Sequence, residues 1–313
     1  MPDARCRISP RAMDISGIFP VLPTPFHADG SPDEAALRRL VRYALASGVD
    51  GVTYPGVASE VSELAHDERV RLVAAVQDEL AGRRPLIVGI SGSSVEMCIA
   101  LGRSALERDV AAFMVAAPAN RKDVAQQIAF FSALGAALRV PIMLQNVPPP
   151  AGAGLAPDTV VAILQAVPAI AYVKEETLPS GQRLTALRER APATLRGVFG
   201  GAGGRYVTDE LRRGAAGSMP AIELAEVHAA LMAAHRAGDA AGVRRLFTRM
   251  LPVLNVQAVF RWALTKYVLQ RRGLLDVARQ RAAGPALDAV DRVDVDAFLD
   301  DIADLLLPGD AVP

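Results

Sequence analysis

From Gly17 onward the chain alternates two hydrophobic rhythms: short apolar runs of strand-forming residues, and longer segments whose apolar side chains recur every three or four positions. The short runs fall at Ile18-Leu22, Val52-Tyr54, Leu86-Ile90, Ala112-Ala116, Pro141-Gln145, Ile170-Lys174, Arg196-Phe199 and Gly217-Pro220, eight in all. The spacing between them predicts helices over Asp33-Ser47, Asp67-Leu80, Ser94-Glu107, Asp123-Leu138, Pro157-Val167, Gln182-Arg190, Arg205-Arg213 and Glu223-Arg236. The first puts Leu37, Leu40, Val41 and Leu45 on one face and stops at Gly48; the second does the same with Val70, Val73, Ala74 and Leu80 before Gly82. Strand-helix alternation calls for a parallel sheet. Eight units, with no glycine-rich fingerprint after the first strand, predict closure into an α/β fold of the (βα)8 TIM-barrel type over residues 17–237. Residues 238–313 read as a C-terminal helical region built from Ala240-Leu251, Val253-Arg272 and Val295-Leu306, with Trp262 and Tyr267 as core or interface residues. Residues 1–16 read as a flexible arm without a secretory signal, with Met13 as a candidate natural start.

Composition narrows the function more than the fold. Lys+Arg and Asp+Glu balance at 34 each, so no basic face invites a nucleic acid. No apolar run approaches the ~20 residues of a membrane span. Cys6 and Cys98 make neither a metal spacing nor a disulfide framework, and His27, His66, His228 and His235 form no ligand pair. The expectation is a cytoplasmic enzyme with no metal and no cofactor, acting on a small molecule.

A barrel keeps its chemistry where strands hand over to loops on the C-terminal rim. There the sixth strand ends in Val173-Lys174-Glu175-Glu176. A lysine at such a strand end is partly desolvated, which disfavours its ammonium form and makes it a nucleophile toward a carbonyl. Taken alone, it fits a snorkelling lysine paired with an acid better. Glu175 is the expected charge partner and Glu176 the expected solvated residue, with strand alternation placing them on opposite faces. The second strand delivers Tyr54 and Gly56-Val57-Ala58-Ser59-Glu60, the fifth Gln145-Asn146-Val147-Pro148, and the seventh Gly200-Gly201-Ala202-Gly203-Gly204.

In this order the stretches resemble the dihydrodipicolinate synthase and N-acetylneuraminate lyase superfamily, from about Gly17 to Leu269. The resemblance is carried by Gly17-Ile18-Phe19-Pro20, Thr24-Pro25-Phe26, the Gly51 to Glu60 loop, Asn146-Val147-Pro148 and Lys174-Glu175. It implies a barrel enzyme in a dimer or tetramer whose Lys174 forms a Schiff base with a 2-keto acid. Gly200 to Tyr206 and Arg213 to Met219 look more like the 2-keto-3-deoxy sugar-acid dehydratase branch.

The departures from that family are chemical. Val57 and Ala58 stand where its loop supplies two hydroxyls, Gln145 replaces a tyrosine, and Ala119-Asn120 replaces a tyrosine pair. The arginine that grips a second carboxylate has its counterpart near Pro150. An amide orients a substrate but does not relay a proton as a phenol does. The expected catalytic set is therefore Lys174, Gln145 and Glu60. The expected substrate contacts are Tyr54, Gly56, Val57, Ala58, Ser59, Asn120, Gly200 and Gly201. The N–H groups of Gly56 to Ser59 would form an anion nest, and Gly200 to Gly204 a weak phosphate candidate. Dehydration of a 2-keto-3-deoxy sugar acid is the expected reaction. Pyruvate-dependent aldol cleavage and non-catalytic 2-keto-acid binding are the alternatives.

Overall fold

The computed structural model describes residues 15–121 and 123–308; of the arm expected over 1–16, the first fourteen residues, with the start at Met13, lie outside the described residues, while Ile15 is buried in the barrel and its N–H donates to the Tyr172 hydroxyl at 3.1 Å. Eight parallel strands run in chain order around a ring: β1 (Gly17–Ile18), β2 (Val52–Thr53), β3 (Leu86–Gly89), β4 (Ala112–Ala116), β5 (Ile142–Asn146), β6 (Ile170–Glu175), β7 (Gly197–Gly200) and β8 (Gly217–Ser218). Parallel bridges from Val21 to Thr53 and to Ala221 join the first strand to both neighbours, so the sheet closes. The fold is a (βα)8 barrel with a C-terminal helical extension, as the two rhythms predict.

The outer ring is α1 (Glu34–Ala46), α2 (His66–Leu80), α3 (Val95–Ala105), α4 (Val124–Leu138), α5 (Pro157–Ala166), α6 (Ser180–Arg190), α7 (Val207–Arg212) and α8 (Ala225–Arg236). Local chemistry starts several of these helices. Asp33, Ser94 and Asp123 accept from the N–H groups of Ala36, Met97 and Gln126, supplying the acceptor that a first turn lacks.

Two cores follow from strand alternation. Residues facing the helices, such as Val52, Val115, Leu144 and Val173, merge with the helix faces into one large cluster. Residues facing inward, among them Phe19, Val21, Ile87, Met114, Met143, Tyr172, Phe199 and Met219, fill the barrel. Phe199 meets Phe19 and Tyr172 edge-on at 6.0 and 6.2 Å between ring centres, an arrangement the ring quadrupoles favour.

The extension departs from the expected breaks. Helix α9 (Ala240–Phe260) runs straight through Pro252, and the chain turns instead at Arg261 (φ 44°) before α10 (Trp262–Arg271). Proline at 252 forfeits one helical hydrogen bond, but Met250, Val253 and Leu254 on either side are all fully buried and hold the helix continuous. A last helix, α11 (Ala289–Asp300), lies against α9. No described helix is long and apolar enough to cross a membrane.

Candidate active site

The register of β5 against β6 slips by one residue between Ile142 and Met143, which pair with Ile170 and Tyr172. An extra residue of this kind re-aims every side chain beyond it. Past Ala171, Tyr172 and Lys174 face the lumen while Val173 and Glu175 face the helices. Lys174 is thereby flanked by Gln145 of β5 and Phe199 of β7. It is 4 % exposed.

The Lys174 amine lies 3.3 Å from Glu176 Oε1. Gln145 Nε2 donates to Glu176 Oε2 at 2.7 Å, and the Ala202 N–H donates to Oε1 at 3.0 Å. Room for this carboxylate comes from Gly201, where a Cβ would sit 2.5 Å from Oε1. Burial acts to raise the Glu176 pKa, but the Lys174 charge and these donors outweigh it and hold the carboxyl below its ordinary value. Lys174, Gln145 and Gly201 are thus brought together around Glu176.

The partner of Lys174 is Glu176, not Glu175. Residues two apart on a strand share a face, so Glu176 returns to the lumen while Glu175 enters the wall. Glu175 is fully buried there, accepting from Asn146 Nδ2 at 2.9 Å, the Thr177 N–H at 2.8 Å and Arg183 Nε at 3.2 Å. Burial raises its pKa against the pull of those donors. Asn146 also exchanges hydrogen bonds with the Leu155 backbone, so Asn146-Val147-Pro148 shapes the loop after β5.

After β2 the rim loop forms a single tight turn over Val57–Ser59. The Gly56 N–H donates to Ser59 Oγ at 2.8 Å, the Ser59 N–H donates to Gly56 O at 2.9 Å, and Ser59 Oγ donates to Leu22 O. Two of the four expected anion donors are therefore occupied, and the Ser59 hydroxyl, fully buried, serves the backbone. The N–H groups of Val57 and Ala58 have no acceptor among the described residues. The Ala58 methyl packs against the lumen cluster, at a position where the resembled family's loop supplies a hydroxyl.

Glu60 takes a different place from the one expected of a proton-handling group. With φ at 56° it turns from the lumen, and its carboxylate accepts from Lys266 Nζ and from the N–H groups of Arg281 and Ala282, both at 2.6 Å. Lys266 also donates to Arg279 O at 2.6 Å and stands 4.2 Å from the centre of the Phe26 ring. Burial pushes the Lys266 amine down to about 8, with Glu60 acting in the opposite direction. One helical turn earlier, Trp262 Nε1 donates to Val57 O at 2.8 Å. Two residues of α10 therefore grip the rim loop, a role missed in the sequence although positions 262 and 266 share a helix face.

The remaining candidates divide. Tyr54 points into the outer core, where its hydroxyl exchanges a hydrogen bond with Thr24 Oγ1 at 3.0 Å and burial raises its pKa, so it supplies no phenol to the lumen. Asn120 stands exposed on the turn after β4, and none of the described hydrogen bonds ties it to Lys174. Gly200 faces outward, since a Cβ there would strike Glu210 of α7. The loop from Gly201 to Gly204 already spends the Ala202 N–H on Glu176, which removes that donor from the phosphate candidate.

The closed barrel buries a lysine at the rim end of its sixth strand, the end at which enzymes of this fold keep their catalytic groups. The chain belongs to the dihydrodipicolinate synthetase family, whose profile matches residues 14–294, and it is a lyase. It is 34% identical over 250 residues to a 4-hydroxy-tetrahydrodipicolinate synthase of Acidobacterium capsulatum, covering 78% of this chain and 81% of that one. It is 28% identical over 273 residues to the L-2-keto-3-deoxyarabonate dehydratase of Azospirillum brasilense, covering 86% and 88%. The crystal structure of a dihydrodipicolinate synthase from Rhodopseudomonas palustris superposes with a TM-score of 0.85 at 27% identity, covering 92% of this chain and 98% of that one.

Proposed function

We propose that the chain is a Schiff-base lyase of 2-keto acids whose reaction is dehydration of a 2-keto-3-deoxy sugar acid. The observation that carries this reading is the Lys174 amine, buried at the lumen end of β6 and in contact with an ionised carboxylate. The amine condenses with the C2 ketone, and the protonated imine then withdraws electrons from C3. Loss of a C3 proton leaves its electron pair as the C2–C3 double bond of an enamine. The enamine nitrogen returns that density, the C4–O bond breaks, and the hydroxyl departs with one proton as water.

Substrate orientation falls to the two N–H groups of the rim turn that are free among the described residues and to the hydrogen-bonding capacity that Gln145 retains beside its bond to Glu176. The N–H groups of Val57 and Ala58 are assigned to the substrate carboxylate, and the Gln145 amide to a substrate oxygen near the amine. Two features favour a sugar acid over the second carboxylate that the synthase reaction requires. Residues 148–150 are three exposed prolines where the resemblance leads one to look for a gripping arginine. Arg183 is turned into the wall, bound to Glu175 and to Leu155 O. The dehydratase relative spans most of both chains, and its named substrate is the first to test. As the family resemblance implies, the enzyme is taken to work as a homo-oligomer, which sedimentation measures directly.

The test is turnover of 2-keto-3-deoxyarabonate, followed by product mass. Loss of one water supports the reading. Release of pyruvate makes the enzyme an aldolase, and tight binding without any product makes it a binding protein.

A further inference from the structure

The relay positions of this site hold groups that cannot carry protons to and from the reacting amine. Ala58 presents a methyl, Gln145 an amide, and the hydroxyls of Ser59 and Tyr54 are committed outside the lumen. Glu176 does touch the reacting atom, at 3.3 Å. We propose that Glu176 is the catalytic proton carrier of imine formation, passing protons between Lys174 Nζ and the C2 oxygen of the substrate. The proposal rests on the imine reading above.

The surroundings suit that role. Gln145 and the Ala202 N–H fix the carboxylate in one plane, and the missing side chain at Gly201 lets it lie against the amine. At rest it is ionised, ready to accept. The steps balance without any co-reactant. Glu176 first takes a proton from the Lys174 ammonium, and the freed nitrogen pair forms the C–N bond while the carbonyl pair moves onto oxygen. The carboxylic acid gives its proton to that oxygen, completing the hydroxyl. Glu176 then takes a second proton from nitrogen and returns it to the hydroxyl. The C–O bond breaks, water leaves, and the nitrogen pair closes the protonated imine. Two protons have moved from nitrogen to the departing oxygen, and the carboxylate is regenerated. Glu175 does not compete, because its oxygens are held in the wall by Asn146, Thr177 and Arg183.

The experiment is the time course of borohydride trapping with pyruvate, quenched at intervals and read by intact mass, for the wild type, Glu176→Gln and Glu176→Ala. General acid-base assistance of this kind is worth roughly 100-fold or more. Glu176→Gln should trap at least about 100-fold more slowly yet reach the wild-type extent, which shows an intact site. Glu176→Ala should be accelerated about 10-fold or more by added formate, a small carboxylate able to replace the missing one. A purely structural glutamate would give no formate effect. Equal trapping rates in wild type and Glu176→Gln would overturn this proposal while leaving the imine reading in place. A reduced final extent at an unchanged rate would also overturn it, making Glu176 a binding group. No adduct in the wild type would overturn both.

Discussion

Two buried lysine-glutamate pairs stand at the same rim of this barrel, and they are built to opposite ends. In the pair of Lys266 with Glu60 both side chains are wholly buried, and the carboxylate has three donors: an amine and two backbone N–H groups. Its lysine is likewise surrounded, by the carboxylate, the Arg279 carbonyl and the Phe26 ring. The pair of Lys174 with Glu176 sits 3.3 Å apart on the lumen side, with the two side chains 5% and 13% exposed. Charge and burial alone do not separate them. Each carboxylate has three donors, so the difference lies at the lysine: Lys266 has a second acceptor in the Arg279 carbonyl and the Phe26 ring beside it, whereas among the described residues Glu176 is the one acceptor in reach of Lys174.

The comparison breaks most sharply under substitution of the two lysines. Lys174→Ala should lower turnover at least about 1000-fold through loss of the covalent intermediate, with a smaller stability loss than at Lys266 because Glu176 is partly exposed and keeps the Gln145 and Ala202 donors. Lys266→Met should do the reverse. It leaves Glu60 buried without its cation, which costs about 3–5 kcal/mol in chemical denaturation, while enzyme that remains folded keeps its turnover number. Adding Glu60→Gln to Lys266→Met should restore part of that loss, because a neutral amide oxygen still accepts from Arg281 and Ala282. Additive losses would mean that the two residues act independently.

A third buried acid sharpens the contrast because it has no cation in contact. Glu210 accepts from Ser180 Oγ at 2.8 Å through one oxygen, while the other has no partner among the described residues. Burial pushes its pKa up to about 7, with Glu176, Asp209 and Glu175 adding to the rise and Ser180 opposing it. A carboxyl raised on folding contributes stability that is complete below its unfolded pKa and is lost as pH climbs through its folded value. The wild type should therefore lose stability between about pH 4.5 and 7 on this account. Glu210→Gln should gain on it over that window by on the order of 2 kcal/mol, read as denaturation midpoints at pH 5 and pH 8. The smallest effect belongs to Trp262→Phe. Losing the bond to Val57 O should cost about 1 kcal/mol, and loosening of the rim turn should appear as a raised KM with kcat nearly unchanged.

The barrel was legible because its signal is repeated: eight apolar runs and eight amphipathic helices each say the same thing, and small errors at their ends do not alter the topology. Lys174 and Gln145 were legible for the same reason, as ends of strands whose pairing follows from order. Glu176 was lost because only the position of the residue, counted by strand parity, distinguishes it from Glu175, and the parity was applied to the pair without asking which acid shares the face of Lys174. Glu60 was placed among the proton-handling groups because a loop motif names residues, not directions. The left-handed turn at Glu60, and the burial of Lys266 more than 200 positions later, decide where that carboxylate points. No local pattern records a contact of that range. Pro252 misled for the opposite reason: a strong local signal was overridden by packing of the residues around it.

In the proposed reaction Lys174, and not its counterpart Lys266, reacts with the keto acid. Borohydride reduction of the native enzyme with pyruvate or 2-keto-3-deoxyarabonate, followed by peptide mass mapping, tests it in one measurement. The account predicts a single adduct on the peptide containing Lys174 and an unmodified Lys266. An adduct on Lys266, or none on either lysine under conditions where the substrate is consumed, would contradict it.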